Sequence, residues 1–297
     1  ASVCGLVGVK PSRGRVSAAP LYGDVSGLST SGPLATTVRD AAALLDAMAG
    51  PAVGDPAWAT PLPVGESYLD WCDRTPGRLR VARFVAPPIG DGQVDPEVLE
   101  GYERASRLLA DLGHEIEDFE LPLPAETLPV FEVVWSVGTA SWPVDPEHEH
   151  ELRPLSRWLR ERGRATTAVR YVEALVGMRQ AAAVVLGALA PYDAVLTPTL
   201  AQPPVLVGSL RNDADPAADF EAQKRFTPFT ALWNVTGMPA VSLPLHWTRT
   251  GLPVGIMLGA APGRDHRLLA LAAQIEQACA VDGRWPHPAT PFTAPRA

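Results

Sequence analysis

Cysteine is scarce in this chain of 297 residues. Cys4, Cys72 and Cys279 are odd in number and scattered, and none sits at a spacing that could hold zinc. A disulfide framework and a structural zinc site are thereby excluded as organising principles. Basic residues are also short: 25 Lys and Arg stand against 33 Asp and Glu, a formal net charge of −8. A phosphate backbone is bound by a basic face, so nucleic acid is not expected as the partner. Long hydrophobic runs are lacking as well. The longest, Ala181–Ala190, has the length of a buried helix segment, so no membrane partner is expected. No basic stretch followed by an apolar one marks a signal peptide. His148 and His150 flank Glu149 without a third ligand in sight, and no metal is expected. Ser29–Pro33 lacks the glycine and lysine spacing of a phosphate loop, and no cofactor is expected.

What remains is rich in apolar residues, proline and glycine. Apolar types make up 46% of the chain and charged types 20%, a balance that supports a packed core. Val38, Ala41, Ala42, Leu45 and Met48 share one helical face, with Thr37 and Asp40 as a capping pair and Gly50-Pro51 as the stop. Residues 51–77 read as a surface excursion. Leu79–Val85 reads as a strand, Asp95-Pro96 opens a helix that Gly113 closes, and His114–Phe119 alternates like a second strand. Strand, helix, strand in that order favours parallel pairing on a sheet with helices against it. Residues 125–190 read as mostly helical, 193–200 as a buried strand, Phe226–Trp233 as a helix, and Ala240–Leu245 and Leu252–Leu258 as neighbouring strands. Asp265 is expected to cap a last helix.

The opening stretch, Cys4-Gly-Leu-Val-Gly-Val-Lys-Pro-Ser-Arg-Gly-Arg-Val-Ser17, places Lys10 two residues from Ser12. A serine–lysine pair is one reading. The structural reading is preferred: Gly5, Gly8 and Gly14 permit tight backbone and Pro11 stiffens the turn. The stretch resembles the same region of the amidase signature enzymes, and that resemblance implies that Gly5, Gly8, Lys10, Pro11 and Gly14 support an active site without performing its chemistry.

Four segments together resemble the C-terminal part of the amidase signature enzymes: the opening stretch, Ser29–Ala42, Tyr192–Thr199, and Phe226–Ala240 with its continuation Gly251–Gly255. The look is nearest to generic bacterial amidases and hydrolases of cyclic amide oligomers. The resemblance implies an α/β fold, a mixed β-sheet surrounded by helices, with residues 1–297 as an N-terminally truncated part of one domain. It implies amide hydrolysis by a serine activated by a second serine on a cis peptide and by a lysine base. No position here matches those three residues, which are expected before Ala1, so the catalytic set within this chain is empty and the chain alone is expected to be inactive.

The resemblance brings Trp233 and Asn234 near a substrate pocket, with Trp135 and Thr199 as further candidates. An aromatic wall with a single oriented polar group is how small-molecule pockets are built. Each also has a structural reading, as core aromatics, a turn-capping Asn and a buried Thr. The expected partner is a small-molecule amide, a homodimer is possible, and a cytoplasmic setting fits the thiols. Two alternatives stand beside the amidase: the amidase subunit of a tRNA-dependent amidotransferase, and a non-catalytic truncated remnant.

Overall fold

In a computed structural model, residues 1–21 and 24–281 are described. Seven strands form one sheet in the order β2-β1-β6-β7-β5-β3-β4. They are β1 (Val7–Lys10), β2 (Leu34–Ala35), β3 (Arg80–Arg83), β4 (Glu115–Asp118), β5 (Ala194–Pro198), β6 (Ala240–Trp247) and β7 (Pro253–Ala260). β3 runs parallel to β4 and β5, and every other pairing is antiparallel. The sheet is therefore mixed, as expected, and the strand–helix–strand unit pairs Val81 with Ile116 in parallel register.

The sequences of β5 and β7 explain their central place. All their residues are buried, which is the pattern of strands covered on both faces. Alternation divides them between two cores. Val254, Ile256 and Leu258 join one cluster while Met257 joins the other. The first face carries α1 (Val38–Met48), α2 (Tyr68–Trp71), α3 (Pro96–Asp111) and α9 (Asp265–Val281). The second carries the end of α6 (Ala168–Leu189) and α8 (Thr230–Thr236). A third cluster joins α6 to α4 (Thr127–Ser141) through Val130, Val134, Ala174 and Met178, and takes in Leu28. The set is completed by α5 (Pro154–Arg164) and α7 (Pro216–Phe226).

Local signals account for many of the helix starts. Thr37 accepts from Asp40 N, and Asp95 accepts from Glu97 N with Pro96 in the first turn. Three readings are corrected. The excursion at 51–77 contains α2, started by a capping box of Ser67 and Asp70. The helix expected over Phe226–Trp233 is two helices. Pro228 has no N–H to give, so α7 ends at Phe226 and α8 starts at Thr230. Finally, α6 is 22 residues long and apolar enough to cross a membrane by length and composition, with 28% of its most apolar window buried. Arg179 interrupts the apolar run in the sequence without breaking the helix.

Candidate functional site

The opening segment is held by a carboxylate 253 positions away. Ser12 donates its backbone N–H to Asp265 Oδ1 and its hydroxyl to Asp265 Oδ2, both at 2.7 Å. Arg15 reaches the same Oδ2 at 3.1 Å, and Gly263 N–H donates to Ser12 Oγ at 2.8 Å. The three side chains are almost entirely buried. Asp265 thus faces the opening turn; the expected cap is spent on Arg15, whose buried charge needs a counterion. Lys10 turns elsewhere. Its Nζ donates to Pro11 O at 3.0 Å. Burial, helped by the charge of Arg13, brings its amine down to about 8. Lys10 and Ser12 therefore have separate partners, and the Ser12 hydroxyl already has both a proton acceptor and a donor.

The glycines fit this clamp. Gly5 has positive φ and closes the first turn, Ser2–Cys4. Gly8 lies in β1, where a Cβ would come within 2.4 Å of Ala1 Cβ. Gly14 has φ +76°, and a Cβ there would stand 2.7 Å from the Ala57 carbonyl carbon. Pro11 is buried between Lys10 and Ser12.

Arg13 leads from the clamp to a cavity. Its Nε donates to Gly27 O at 2.7 Å, and its Nη2 donates to the carbonyls of Asn234 and Val235 at the end of α8. Asn234 Nδ2 in turn donates to Leu28 O at 2.7 Å. Leu28, Trp135 and Asn234 line a cavity of about 300 Å³ between α4, α5, α7 and α8. Two of the expected pocket residues, Trp135 and Asn234, are thus brought together. The other two are not. Trp233 is 1% exposed and packs on the bare backbone of Gly259. Neighbours on a helix point about 100° apart, so a residue beside Asn234 faces the sheet. Thr199 shares a hydrogen bond of 2.8 Å with Ser242 Oγ, close to Gly255, whose N–H donates to Ser2 Oγ.

Several cavity residues carry no sequence signal of their own. Phe131, Leu159, Phe220 and Lys224 line it from three helices, and the Pro216 start of α7 is the one available sign for two of them. Lys224 is buried between Glu132 at 2.5 Å and Glu221 at 2.6 Å. Burial opposes its charge, yet the two carboxylates win and raise its pKa. Leu28 and Trp135 also border a second cavity of about 330 Å³, with Asp24 and Tyr171 on its wall. Asp24 accepts from the backbone of Ser26, Gly27 and Ser29. Burial works against its charge, but hydrogen bonds from Ser26 and Ser29 hold it below the usual carboxylate range. A larger hollow of about 610 Å³ lies at the ends of β3 and β4, bordered by Arg83, Glu103 and Asp118. It contains none of the expected residues, and Arg83 is already paired with both carboxylates. Among the described residues no His, Cys, Asp and Glu cluster could hold a metal.

The Amidase family model matches residues 1–269. The 6-aminohexanoate-cyclic-dimer hydrolase of Paenarthrobacter ureafaciens is 33% identical over 300 residues, covering 94% of this chain and 60% of its own length. A Synechocystis sp. relative is 32% identical over 278 residues, covering 93% of this chain and 53% of its own length. The chain thus spans between about half and three fifths of these curated relatives. Among solved structures, a 6-aminohexanoate cyclic dimer hydrolase complexed with substrate superposes with a TM-score of 0.86 at 28% identity, over 98% of this chain and 63% of that one. A glutamyl-tRNA(Gln) amidotransferase component from Thermotoga maritima superposes at 0.71 with 25% identity, over 93% of this chain and 58% of that one.

Proposed function

Since the chain belongs to the Amidase family, we propose that the whole protein hydrolyses the C–N bond of a small or linear amide, with a serine nucleophile, a second serine on a cis peptide and a lysine base, all in a segment preceding Ala1. A serine hydroxyl needs a base within hydrogen-bond reach, and a lysine serves only when its surroundings lower its pKa. Backbone N–H groups would hold the oxyanion. This chain supplies the rest. The clamp at Asp265 fixes the turn that follows β1, and the cavity at Trp135 and Asn234 receives part of the substrate.

The observation carrying this reading is the overlay of 98% of the chain on a hydrolase solved with its substrate. The commitment of Ser12 to Asp265 supports it too, since the one local serine–lysine pair has no free hydroxyl. The amidotransferase reading has weaker support, with a TM-score of 0.71.

The test compares the full reading frame with the 297-residue chain, using ammonia or amine release from a panel of amides and labelling by a fluorophosphonate. The full protein is expected to hydrolyse and to label, and the chain alone to do neither. Turnover by the chain alone, or loss of turnover in a folded Ser12→Ala full protein without loss of stability, would overturn the assignment.

A further inference from the structure

From the cavity between α4 and α7 we infer a substrate class: the amide carries one uncharged, apolar arm of about six to ten heavy atoms, seated against Trp135. The inference rests on the amidase reading and deepens it.

The walls supply the first argument. Leu28, Phe131, Trp135, Leu159, Phe220 and Ala231 give the cavity an aliphatic and aromatic lining. Trp135 stacks on Phe131, with ring centroids 5.6 Å apart and planes 26° from parallel, and still exposes 45% of its surface. A tryptophan held flat by a neighbour and left half bare is a surface ready to be covered.

The polar groups supply the second, because each already has a partner. Gln223 Nε2 donates to Asp219 at 2.6 Å, Thr227 Oγ1 to Gln223 O at 3.0 Å and Thr230 Oγ1 to Thr227 O at 3.2 Å. Asn234 Nδ2 is given to Leu28 O. Lys224, the cation on the lining, is neutralised by Glu132 and Glu221. A charged arm would lose part of its water against these walls and gain no counterion, which is costly. An apolar arm loses nothing of that kind and gains the burial.

Size supplies the third. An apolar cavity of about 150 Å³ is enough to hold benzene, so about 300 Å³ has room for a phenyl or a short alkyl chain. Its link to the opening segment, through Asn234, Leu28 and Arg13, places this arm beside the part of the chain that the clamp immobilises.

Two measurements test it. In the full protein, kcat/KM is compared for acetamide, butanamide, hexanamide and benzamide, and for 6-aminohexanamide and the monoamide of adipic acid. Each buried methylene is worth about fourfold, so hexanamide is expected to exceed acetamide by at least about tenfold, and both charged analogues to fall below hexanamide by a similar factor. Trp135→Ala and Ala231→Phe are each expected to shrink the hexanamide-to-acetamide ratio. Hydrolysis with no dependence on chain length, or with charged arms preferred, would overturn the inference and leave the amidase reading standing. Should no amide be hydrolysed by the folded full protein, the amidase reading fails, and the inference that rests on it falls with it. In the 297-residue chain labelled with 5-fluorotryptophan, hexanamide and benzamide are expected to shift the fluorine resonance of Trp135, assigned by its loss in Trp135→Phe, and the adipic monoamide is not. Shifts of equal size from neutral and charged amides, or none from either, would also sink it.

Discussion

The clamp at Asp265 and the cavity at Trp135 are joined through Arg13, yet they spend their side chains in opposite ways. In the clamp, a carboxylate, a guanidinium and a hydroxyl are taken out of water and bonded to one another. Arg15 Nη1 also donates to Thr60 O, and only its Nε is left without a partner among the described residues. In the cavity, the polar groups are bonded to protein partners, and one ring, Trp135, is left half bare while Phe131 and Phe220 are buried. The first arrangement fixes backbone and leaves nothing to react. The second leaves apolar surface that a ligand could cover. A site that must be held still and a site that must receive something therefore differ in what stays unsatisfied, not in how polar their sequences look.

The sharpest way to break this contrast is to remove the clamp's anion. Asp265→Ala leaves the Arg15 charge buried without its counterion and the Ser12 amide without an acceptor. We expect a loss of about 3–5 kcal/mol, measured by urea unfolding, with Asp265→Asn milder because it keeps an acceptor. A loss within about 0.5 kcal/mol, the range of surface substitutions, would mean that the clamp does not fix the turn. Gly14→Ala comes next. At φ +76°, with the Ala57 backbone 2.7 Å from the new Cβ, it should cost about 1–3 kcal/mol and be read in the same unfolding experiment.

Lys10 probes the same segment through pH. Burial first, and Arg13 second, bring its amine from the ordinary 10.5 down to about 8. The unfolded chain holds that proton more tightly between the two values, so this group makes the fold more stable as pH rises from about 8 towards 10.5, and costs most below pH 8. Lys10→Met should raise stability at pH 7 by about 1–3 kcal/mol, and the gap to the parent should narrow from pH 8 upwards and close only above the ordinary value of 10.5. Tyr68 and Tyr102 also have pKa values displaced by burial, upwards, so the comparison with the variant, not the raw pH profile, isolates Lys10. A gap that stays constant with pH would remove the depressed amine from the account.

How much of the molecule is legible in the sequence follows the range of the interactions. Thr37 with Asp40, and Asp95 with Pro96, act within four residues, and the sequence shows both helix starts. The break at Pro228 is equally local, but the apolar spacing runs on across it and hides it. The clamp is invisible: Asp265 has the look of a helix cap, and only the fold brings it to Ser12 across 253 positions. The cavity is half legible. Asn234 and Trp135 share it, but Trp233 beside Asn234 is turned to the sheet by helix geometry. Phe131, Leu159 and Phe220 lie on three helices, whose meeting no periodicity announces.

The smallest stability effect is expected where the binding effect is greatest. Trp135 is 45% exposed and stacks on one ring, Phe131, so Trp135→Ala should change unfolding by no more than about 1 kcal/mol. Asp265→Ala, by contrast, acts on the backbone of the turn and has no wall in the cavity. Measured side by side in the 297-residue chain, the two variants should therefore separate: urea unfolding should single out Asp265, and the affinity for a neutral apolar amide should single out Trp135. If Trp135→Ala proved as destabilising as Asp265→Ala, the ring would be core like Trp233, and the distinction between a holding region and a receiving region would not survive.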